Sequence, residues 1–125
     1  MLTIASVDLP PDAASVQTAR DVVREVADHL PRRAREAADL VTSELVTNSV
    51  VHAQTPFELF AAADDAAVEV VVADRTGWVT THRASATRGH GLLLVDLLAT
   101  DWAAELEPAG KRVWARLLVE DVPTC

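Results

Sequence analysis

Three polar side chains stand four residues apart in an otherwise apolar stretch: Glu44, Asn48 and His52. Apolar residues recur around them at helical spacing, and steps of four residues keep side chains on one face of a helix. A carboxylate, a carboxamide and an imidazole therefore share the face that should enter a core. Because buried polar groups cost free energy unless a partner satisfies them, we expect this face to line a pocket whose ligand or metal supplies the partners.

The chemistry of Glu44 and Asn48 suits a phosphate that is bound to a metal ion. Mg²⁺ prefers oxygen ligands and usually takes only one or two from the protein, while water and phosphate oxygens complete its shell. The carbonyl of Asn48 can be such a ligand, and Glu44, one turn earlier, is placed to orient or deprotonate a nucleophile near a phosphate. A solvent-exposed glutamate followed by a helix-capping asparagine explains the same pair equally well, so the spacing alone leaves both interpretations open.

His52 lies one further turn along the same predicted helix. A core histidine with one satisfied ring nitrogen is the favoured interpretation, and a ligand-binding histidine is the second. A zinc site is not expected, because the single cysteine, Cys125, is terminal and the other three histidines show no ligand spacing.

Asp74 follows an apolar stretch that favours β structure and precedes a turn. A carboxylate in this place can accept a hydrogen bond from an exocyclic amine such as N6 of adenine. An aspartate that bonds its own backbone in a turn is the common alternative. Gly77, three residues later, would permit a close backbone approach.

The segment from Gly89 to Leu92 reads Gly-His-Gly-Leu and opens a nearly all-apolar helical stretch. Glycines at a helix start leave backbone N–H groups free to face an anion, and the helix dipole has its positive end there. Arg83 and Arg88 precede this segment and could meet a terminal phosphate. A glycine-rich turn that only redirects the chain is the alternative, and a Walker-type phosphate loop is absent from the sequence.

The elements that must position these residues alternate in type along the chain. The patterns predict a strand at 3–7, helices from Asp12 to near Leu30 and from Pro31 to about Ala53, a hairpin of strands 57–62 and 67–73, a loop at 78–88, a helix from Gly89, and final strands at 102–106 and 112–119. This order indicates an α+β, two-layer sandwich with helices on one face of a mostly antiparallel sheet.

The bulk properties limit the classes of protein. A chain of 125 residues is long enough for one domain with one core, and we take residues 1–125 as a single domain. The formal net charge of -8 is opposite in sign to that of most nucleic-acid binders. Neither a signal peptide nor an apolar run approaching the ~20 residues of a membrane span is visible. We therefore expect a cytoplasmic protein without a nucleic-acid or membrane partner.

In this order, the three motifs resemble the GHKL ATPase and kinase superfamily, which includes gyrase, histidine kinases and the MutL-like repair proteins. The similarity is greatest to the small bacterial anti-sigma-factor serine/threonine kinases and their actinobacterial relatives. It rests on Ser-Glu-Leu-Val-Thr-Asn-Ser-Val-Val-His-Ala at 43–53 and on Gly-His-Gly-Leu-Leu-Leu-Val-Asp-Leu-Leu-Ala-Thr-Asp-Trp at 89–102. The resemblance covers nearly the whole chain and implies a Bergerat-type sandwich, the fold of histidine-kinase-like ATPases.

The resemblance also implies a role for each motif. Glu44 is similar to the general base that activates water or a substrate hydroxyl, Asn48 to the Mg²⁺ ligand, and Asp74 to the carboxylate that reads adenine. ATP and Mg²⁺ are the implied cofactors. The residues expected at the cofactor site are Asn48, His52, Asp74, Gly77, Arg88, Gly89, His90, Gly91 and Leu92.

Relatives of this kind phosphorylate a serine of an anti-anti-sigma-type protein and bind a sigma factor in competition with it. The resemblance therefore implies an ATP-binding regulator of transcription with one or both of these partners. Dimers are common among such proteins, so a homodimer is expected as well.

One motif departs from the family pattern and supports an alternative function. The usual middle motif is Asp-x-Gly-x-Gly, whereas residues 74–78 read Asp-Arg-Thr-Gly-Trp. The stretch 78–88 is also short for a lid, and Lys111 and Arg112 stand where a threonine often lies beside the adenine. The alternative is a catalytically weak or inactive binding module of the same fold that regulates a protein by direct contact, with Trp114 as a candidate contact. A stand-alone ATPase without a protein substrate is the third possibility.

Overall fold

The computed structural model describes residues 1–75, 90–108 and 110–123, with the side chains of residues 90 and 91 excepted. The elements in chain order are β1 (Thr3–Leu9), α1 (Ala14–Val26), α2 (Arg32–Asn48), a π-helical turn (Ser49–Ala53), β2 (Phe57–Ala63), β3 (Ala67–Asp74), α3 (His90–Leu98), β4 (Asp101–Glu107), β5 (Gly110–Leu118) and a short 3-10 turn (Val119–Asp121).

The five strands form one sheet in the order β1-β2-β3-β5-β4, and every neighbouring pair is antiparallel. Burial alternates along β2 and β5, because successive side chains of a strand point to opposite faces of the sheet. The face that carries Leu59, Val70 and Ala115 is fully buried under the helices. The predicted α+β sandwich, with helices on one face of an antiparallel sheet, is confirmed.

The core consists mainly of small and β-branched side chains. Strand β3 contributes Val68, Val70 and Val72, which favour a pleated surface and are each at most 2 % exposed. Helix α2 contributes alanines such as Ala34 and Ala38, and these small side chains let α2 lie close to its neighbours. Burying each valine stabilises the fold by about 1.5–3 kcal/mol. Helix α2 packs against α1 on one side and α3 on the other, so it is the middle helix of this layer.

Two arginines of α1 hold α2 in place through one carboxylate. Asp39 accepts hydrogen bonds from Arg20 at 3.0 and 3.3 Å and from Arg24 at 3.1 and 3.2 Å. Burial raises the pKa of the Asp39 carboxyl, but the hydrogen bonds and positive charges of the two arginines lower it by more, so its pKa lies below the ordinary value. The same pairing raises the pKa of Arg20.

The element boundaries differ from the sequence prediction in two places that matter. Helix α1 ends at Val26 and not near Leu30, because the chain turns at Ala27–Leu30, where the Leu30 N–H donates to the Ala27 carbonyl. The α-helical part of the second helix ends at Asn48, and the last five predicted residues form a wider π turn. Within the described ranges, no helix is long and apolar enough to cross a membrane.

Candidate functional site

Helix α2 carries Glu44 and Asn48, and both side chains are half-buried. They lie one turn apart, on the side of the helix away from Asp39. Since Asp39 faces α1, Glu44 and Asn48 face the side on which α3 packs. The interpretation of Glu44 as a fully solvent-exposed side chain is therefore wrong. Asn48 is the last residue of the α-helical segment.

The π turn changes which residues after Asn48 face the protein interior. Ser49 is 3 % exposed, and its hydroxyl has no hydrogen-bond partner among the described residues. His52 is exposed, because the wider turn breaks the four-residue spacing that would have kept it on the face of Glu44 and Asn48. The interpretation of His52 as a core histidine is thus wrong, and the structure does not bring its side chain into the buried face.

The π turn is also fastened to the end of β3. It packs against that strand. Gln54, which follows the turn, has a φ of 55°, in the left-handed region. The hydroxyl of the next residue, Thr55, accepts a hydrogen bond from the N–H of Arg75 at 3.4 Å. Arg75 directly follows Asp74. The segment after Asn48 and the last residue of β3 are thereby held together.

Asp74 is the last residue of β3, and its side chain lies on the buried face, 6 % exposed. It continues the inward series of the strand valines, so this carboxylate points to the helix layer. An ordinary turn aspartate would stand outside the strand, whereas Asp74 pairs with Phe57 and with Lys111 in the two neighbouring ladders. The structure therefore places a buried carboxylate beside the π turn.

Two residues at the start of β5 border Asp74. Lys111 lies directly opposite Asp74 in the ladder and on the same face of the sheet. Gly110 is buried, and a Cβ atom there would collide with the carbonyl oxygen of Asp74 and lie 2.7 Å from the Cα of Arg75. Only glycine permits this close approach of β5 to the end of β3.

Helix α3 begins at His90, so the Gly-rich segment does lead into a helix start, as predicted. Leu92 is 3 % exposed and belongs to the hydrophobic core, so its side chain anchors the helix instead of facing a ligand. The indole Nε1–H of Trp102 donates to Asp96 at 2.8 Å and ties α3 to β4. The predicted residues Gly77, Arg88 and Gly89, together with Arg83, lie outside the described residues.

The described residues offer a carboxylate and a carboxamide on α2, a buried hydroxyl without a described partner on the π turn that packs against β3, and a buried carboxylate at the end of β3, the central strand. The donor set is rich in hard oxygens, which suits Mg²⁺ that shares its shell with phosphate oxygens. Among the described residues, no group of three or more His, Cys, Asp or Glu could hold a metal by itself. The residues therefore fit a cation that arrives with a phosphate ligand.

Sequence reasoning missed Ser49 and Gly110. Ser49 follows Val41 and Leu45 in steps of four, so a hydroxyl interrupts an apolar helical stripe, and this interruption was the available signal. Gly110 lies between the last two predicted strands, at 102–106 and 112–119, where glycine is ordinary. Its close contact with Asp74 depends on the pairing of β3 with β5, which no local pattern specifies.

Comparison with known proteins gives one family match. The family described as histidine kinase-like ATPase domain matches residues 9–117, which include the candidate site residues from Glu44 to Leu92. No curated protein matches the chain.

Proposed function

Because the chain belongs to the histidine kinase-like ATPase domain family, we propose that it binds ATP with Mg²⁺ at this site and acts as an anti-sigma-factor type of serine/threonine kinase. The observation that supports it most is the buried hydroxyl of Ser49, which has no partner among the described residues and lies on the turn that packs against β3. An unsatisfied buried polar atom costs free energy, and a nucleotide base would supply the missing partner.

Each residue of the site has a role that its place supports. The carboxylate of Asp74 accepts a hydrogen bond from the exocyclic amine of adenine, which guanine lacks at that position. The carbonyl of Asn48 is the protein ligand of Mg²⁺, whose charge offsets that of the phosphates. The start of α3 directs backbone N–H groups and the positive end of a helix dipole toward the phosphates.

Glu44 accepts the proton of the attacking serine hydroxyl in this proposal. It stands one turn before Asn48, so it is near the phosphates that Asn48 helps to hold. Phosphoryl transfer asks the protein mainly for positioning and for electrostatic stabilisation, and half-buried groups on one rigid helix are well suited to both. The serine belongs to an anti-anti-sigma-type protein, and the same domain sequesters a sigma factor. The motifs at 43–53 and 89–102 support this subtype.

Calorimetric titration tests the binding step. We expect Mg-ATP to bind the purified protein, GTP to bind more weakly, and Asn48→Ala to weaken Mg-ATP binding by about tenfold or more, as for loss of an interaction with a charged group. Thr47→Ala is the matched control, because Thr47 is the exposed neighbour of Asn48 on the same helix. Equal loss of affinity in both variants would contradict the role of Asn48.

Transfer of labelled phosphate from ATP to a serine-containing anti-anti-sigma protein tests the catalytic step. We expect Glu44→Gln to bind Mg-ATP like the wild type and to transfer phosphate about a hundredfold more slowly, the lower end of what a general base contributes. A Glu44→Gln variant that transfers phosphate at the wild-type rate would refute the assigned base.

A binding module without catalysis is the second candidate. The sequence Asp-Arg-Thr-Gly-Trp at residues 74–78, in place of Asp-x-Gly-x-Gly, favours it. This candidate gains support if no phosphate is transferred and a sigma factor binds equally well with and without ATP. Phosphate transfer that is lost in Glu44→Gln excludes it.

A further inference from the structure

The function proposed above leaves one cation near the site without a role: Lys111, the single lysine of the chain, at the start of β5. Burial alternates along this strand, so Lys111 lies on the helix-facing side with Val113 and Ala115. Arg112 and Arg116 are exposed on the opposite side. The sequence pattern puts both Lys111 and Arg112 where relatives often have a threonine, and the alternation shows that Lys111 is the one that faces the helix layer.

Lys111 stands directly opposite the buried carboxylate of Asp74. The two residues are paired in the ladder of β3 and β5 and lie on the same face of the sheet. Directly opposed Cβ atoms of an antiparallel ladder are about 4.5–5.5 Å apart. Gly110, beside Lys111, lets the two strands stay close here, because it has no Cβ to collide with the backbone of Asp74. A carboxylate, which accepts hydrogen bonds, is therefore held next to an ammonium group, which can only donate them.

The surroundings of Lys111 direct its ammonium group toward the site. The residue is half-buried. Its ladder neighbour on the other side, Leu106 of β4, is aliphatic and offers no acceptor side chain. Lysine has a flexible four-carbon stem that can pack on apolar surface while its three donors reach a polar partner. Acceptor atoms of a ligand that enters beside Asp74 are therefore within reach of this ammonium group.

The Watson–Crick edge of adenine has the complementary pattern. Its exocyclic N6 amine donates a hydrogen bond, and the adjacent ring nitrogen N1 accepts one. We propose that Lys111 donates a hydrogen bond to N1 of adenine while Asp74 accepts one from N6, so that two opposed side chains read neighbouring atoms of the base. This inference rests on the proposed binding of ATP and adds to it a residue that sets base specificity.

Guanine has the opposite pattern at both atoms, since its 6-carbonyl oxygen accepts and its N1–H donates. Asp74 would then face an acceptor, and Lys111 would face a donor. A site built to bond particular polar groups rejects an analogue that lacks them, because its own polar groups are left without partners. Lys111 therefore adds to the preference for ATP over GTP that Asp74 alone provides.

Calorimetric titration with base analogues tests the contact with N1. Lys111→Met keeps a side chain of similar length but removes the ammonium group, and we expect it to weaken Mg-ATP binding by about tenfold. In 1-deaza-ATP a C–H group replaces N1, so the variant should bind this analogue no more weakly than the wild type does. Purine riboside triphosphate lacks the amine but keeps N1, so its affinity should fall in Lys111→Met by the same factor as that of ATP.

Arg116→Met is the matched control, because it removes a cation from the exposed, outward side of the same strand. It should bind all three nucleotides like the wild type. A Lys111→Met variant that loses affinity for ATP and 1-deaza-ATP by the same factor has lost only structure or general charge, and this result overturns the proposal. A wild type that binds Mg-ATP together with an unaffected Lys111→Met overturns this inference alone, whereas a wild type that does not bind Mg-ATP overturns the proposed function as well.

Chemical labelling tests the place of Lys111 without any substitution. Because the chain has one lysine, an amine-acylating reagent modifies only Lys111 and the α-amino group of Met1, which is 95 % exposed and serves as the internal reference. We expect saturating Mg-ATP to slow the acylation of Lys111, measured by mass spectrometry of the digested protein, and to leave that of Met1 unchanged. Acylation of Lys111 at the same rate with and without bound Mg-ATP would contradict the proposed contact.

Discussion

At the scale of single residues, removal of one oxygen atom from Ser49 should change the stability of the free protein and its affinity for nucleotide in opposite directions. Its buried hydroxyl lacks a partner among the described residues, so removing that oxygen should relieve the free protein of a desolvation cost of about 1 kcal/mol. The same change should weaken Mg-ATP binding by about tenfold if the nucleotide supplies the partner. We expect Ser49→Ala to raise the free energy of unfolding in urea and to lower the affinity measured by calorimetry.

Ser43→Ala is the control for this prediction. The hydroxyl of Ser43, in α2, donates to the Asp39 carbonyl at 3.0 Å, so this variant makes the same serine-to-alanine change six residues earlier but removes a satisfied group. The difference between the two variants isolates the unsatisfied hydroxyl. A Ser49→Ala protein that is less stable than Ser43→Ala would contradict the structural reasoning.

The lowered pKa of Asp39 predicts how the free energy of unfolding depends on pH. Its pKa is lowered in the folded protein, so the folded state binds fewer protons there than the unfolded chain does. Its contribution to stability is therefore complete above the ordinary carboxyl pKa of about 4 and is lost as the pH falls through the lower, folded-state pKa. Asp39→Asn should lower the free energy of unfolding by about 1 kcal/mol at neutral pH, and the difference should shrink as the pH falls through the lowered pKa of Asp39.

Urea unfolding of wild type and Asp39→Asn over a pH series measures this effect. Asp28→Asn is the control, because Asp28 is exposed at the turn after α1. A difference between wild type and Asp39→Asn that stays constant from neutral pH to strong acid would show that the arginine pairing does not act through the carboxylate charge.

At the scale of elements, the close contact between β5 and the end of β3 makes Gly110 a positioning residue for Asp74. Gly110→Ala must push the two strands apart, because its Cβ would collide with the backbone of Asp74. We expect a loss of about 1–3 kcal/mol in the free energy of unfolding, as for overpacked cores. We also expect weaker Mg-ATP binding, with reduced discrimination between ATP and GTP.

The discrimination ratio separates positioning of Asp74 from general damage. A variant that is merely less stable would still prefer ATP to the wild-type extent, whereas a displaced Asp74 carboxylate loses the preference. Pro108→Ala, an exposed change in the same turn, should alter neither quantity. Unchanged stability of Gly110→Ala would show that the strands separate at little cost and would contradict the prediction.

Helix α2 shows how far sequence periodicity predicts the site. The four-residue spacing correctly predicts that Glu44 and Asn48 share one face, because both lie in regular α-helix. It fails at His52, because the π turn has more residues per turn than an α-helix and His52 therefore points into solvent. No residue between Ser49 and Ala53 signals a π turn by type. The contacts that accompany it are tertiary: the turn packs against β3, and Thr55, two residues after it, accepts a hydrogen bond from the N–H of Arg75.

At the scale of the whole molecule, the layer architecture could be predicted because each strand has one apolar face. Alternation in β5 identifies its inward residues, and Asp74 is recognisable as the polar end of an apolar strand. The strand order could not be predicted from these patterns, since alternation states which side of a strand is buried but not which strand lies beside it. Contacts between strands, such as that of Gly110 with Asp74, follow only from that order.

The place of β1 in the sheet has a consequence for synthesis. Among the five strands it is the first to leave the ribosome, yet its ladder partner β2 lies beyond both α1 and α2 in the chain. Pairings between distant segments form late, because closing the intervening loop costs entropy. A nascent chain therefore carries its first strand unpaired, with Leu9, which is 7 % exposed in the folded protein, uncovered until residues 57–63 have emerged. The interval between the emergence of β1 and that of β2 sets how long that segment is open to chaperones.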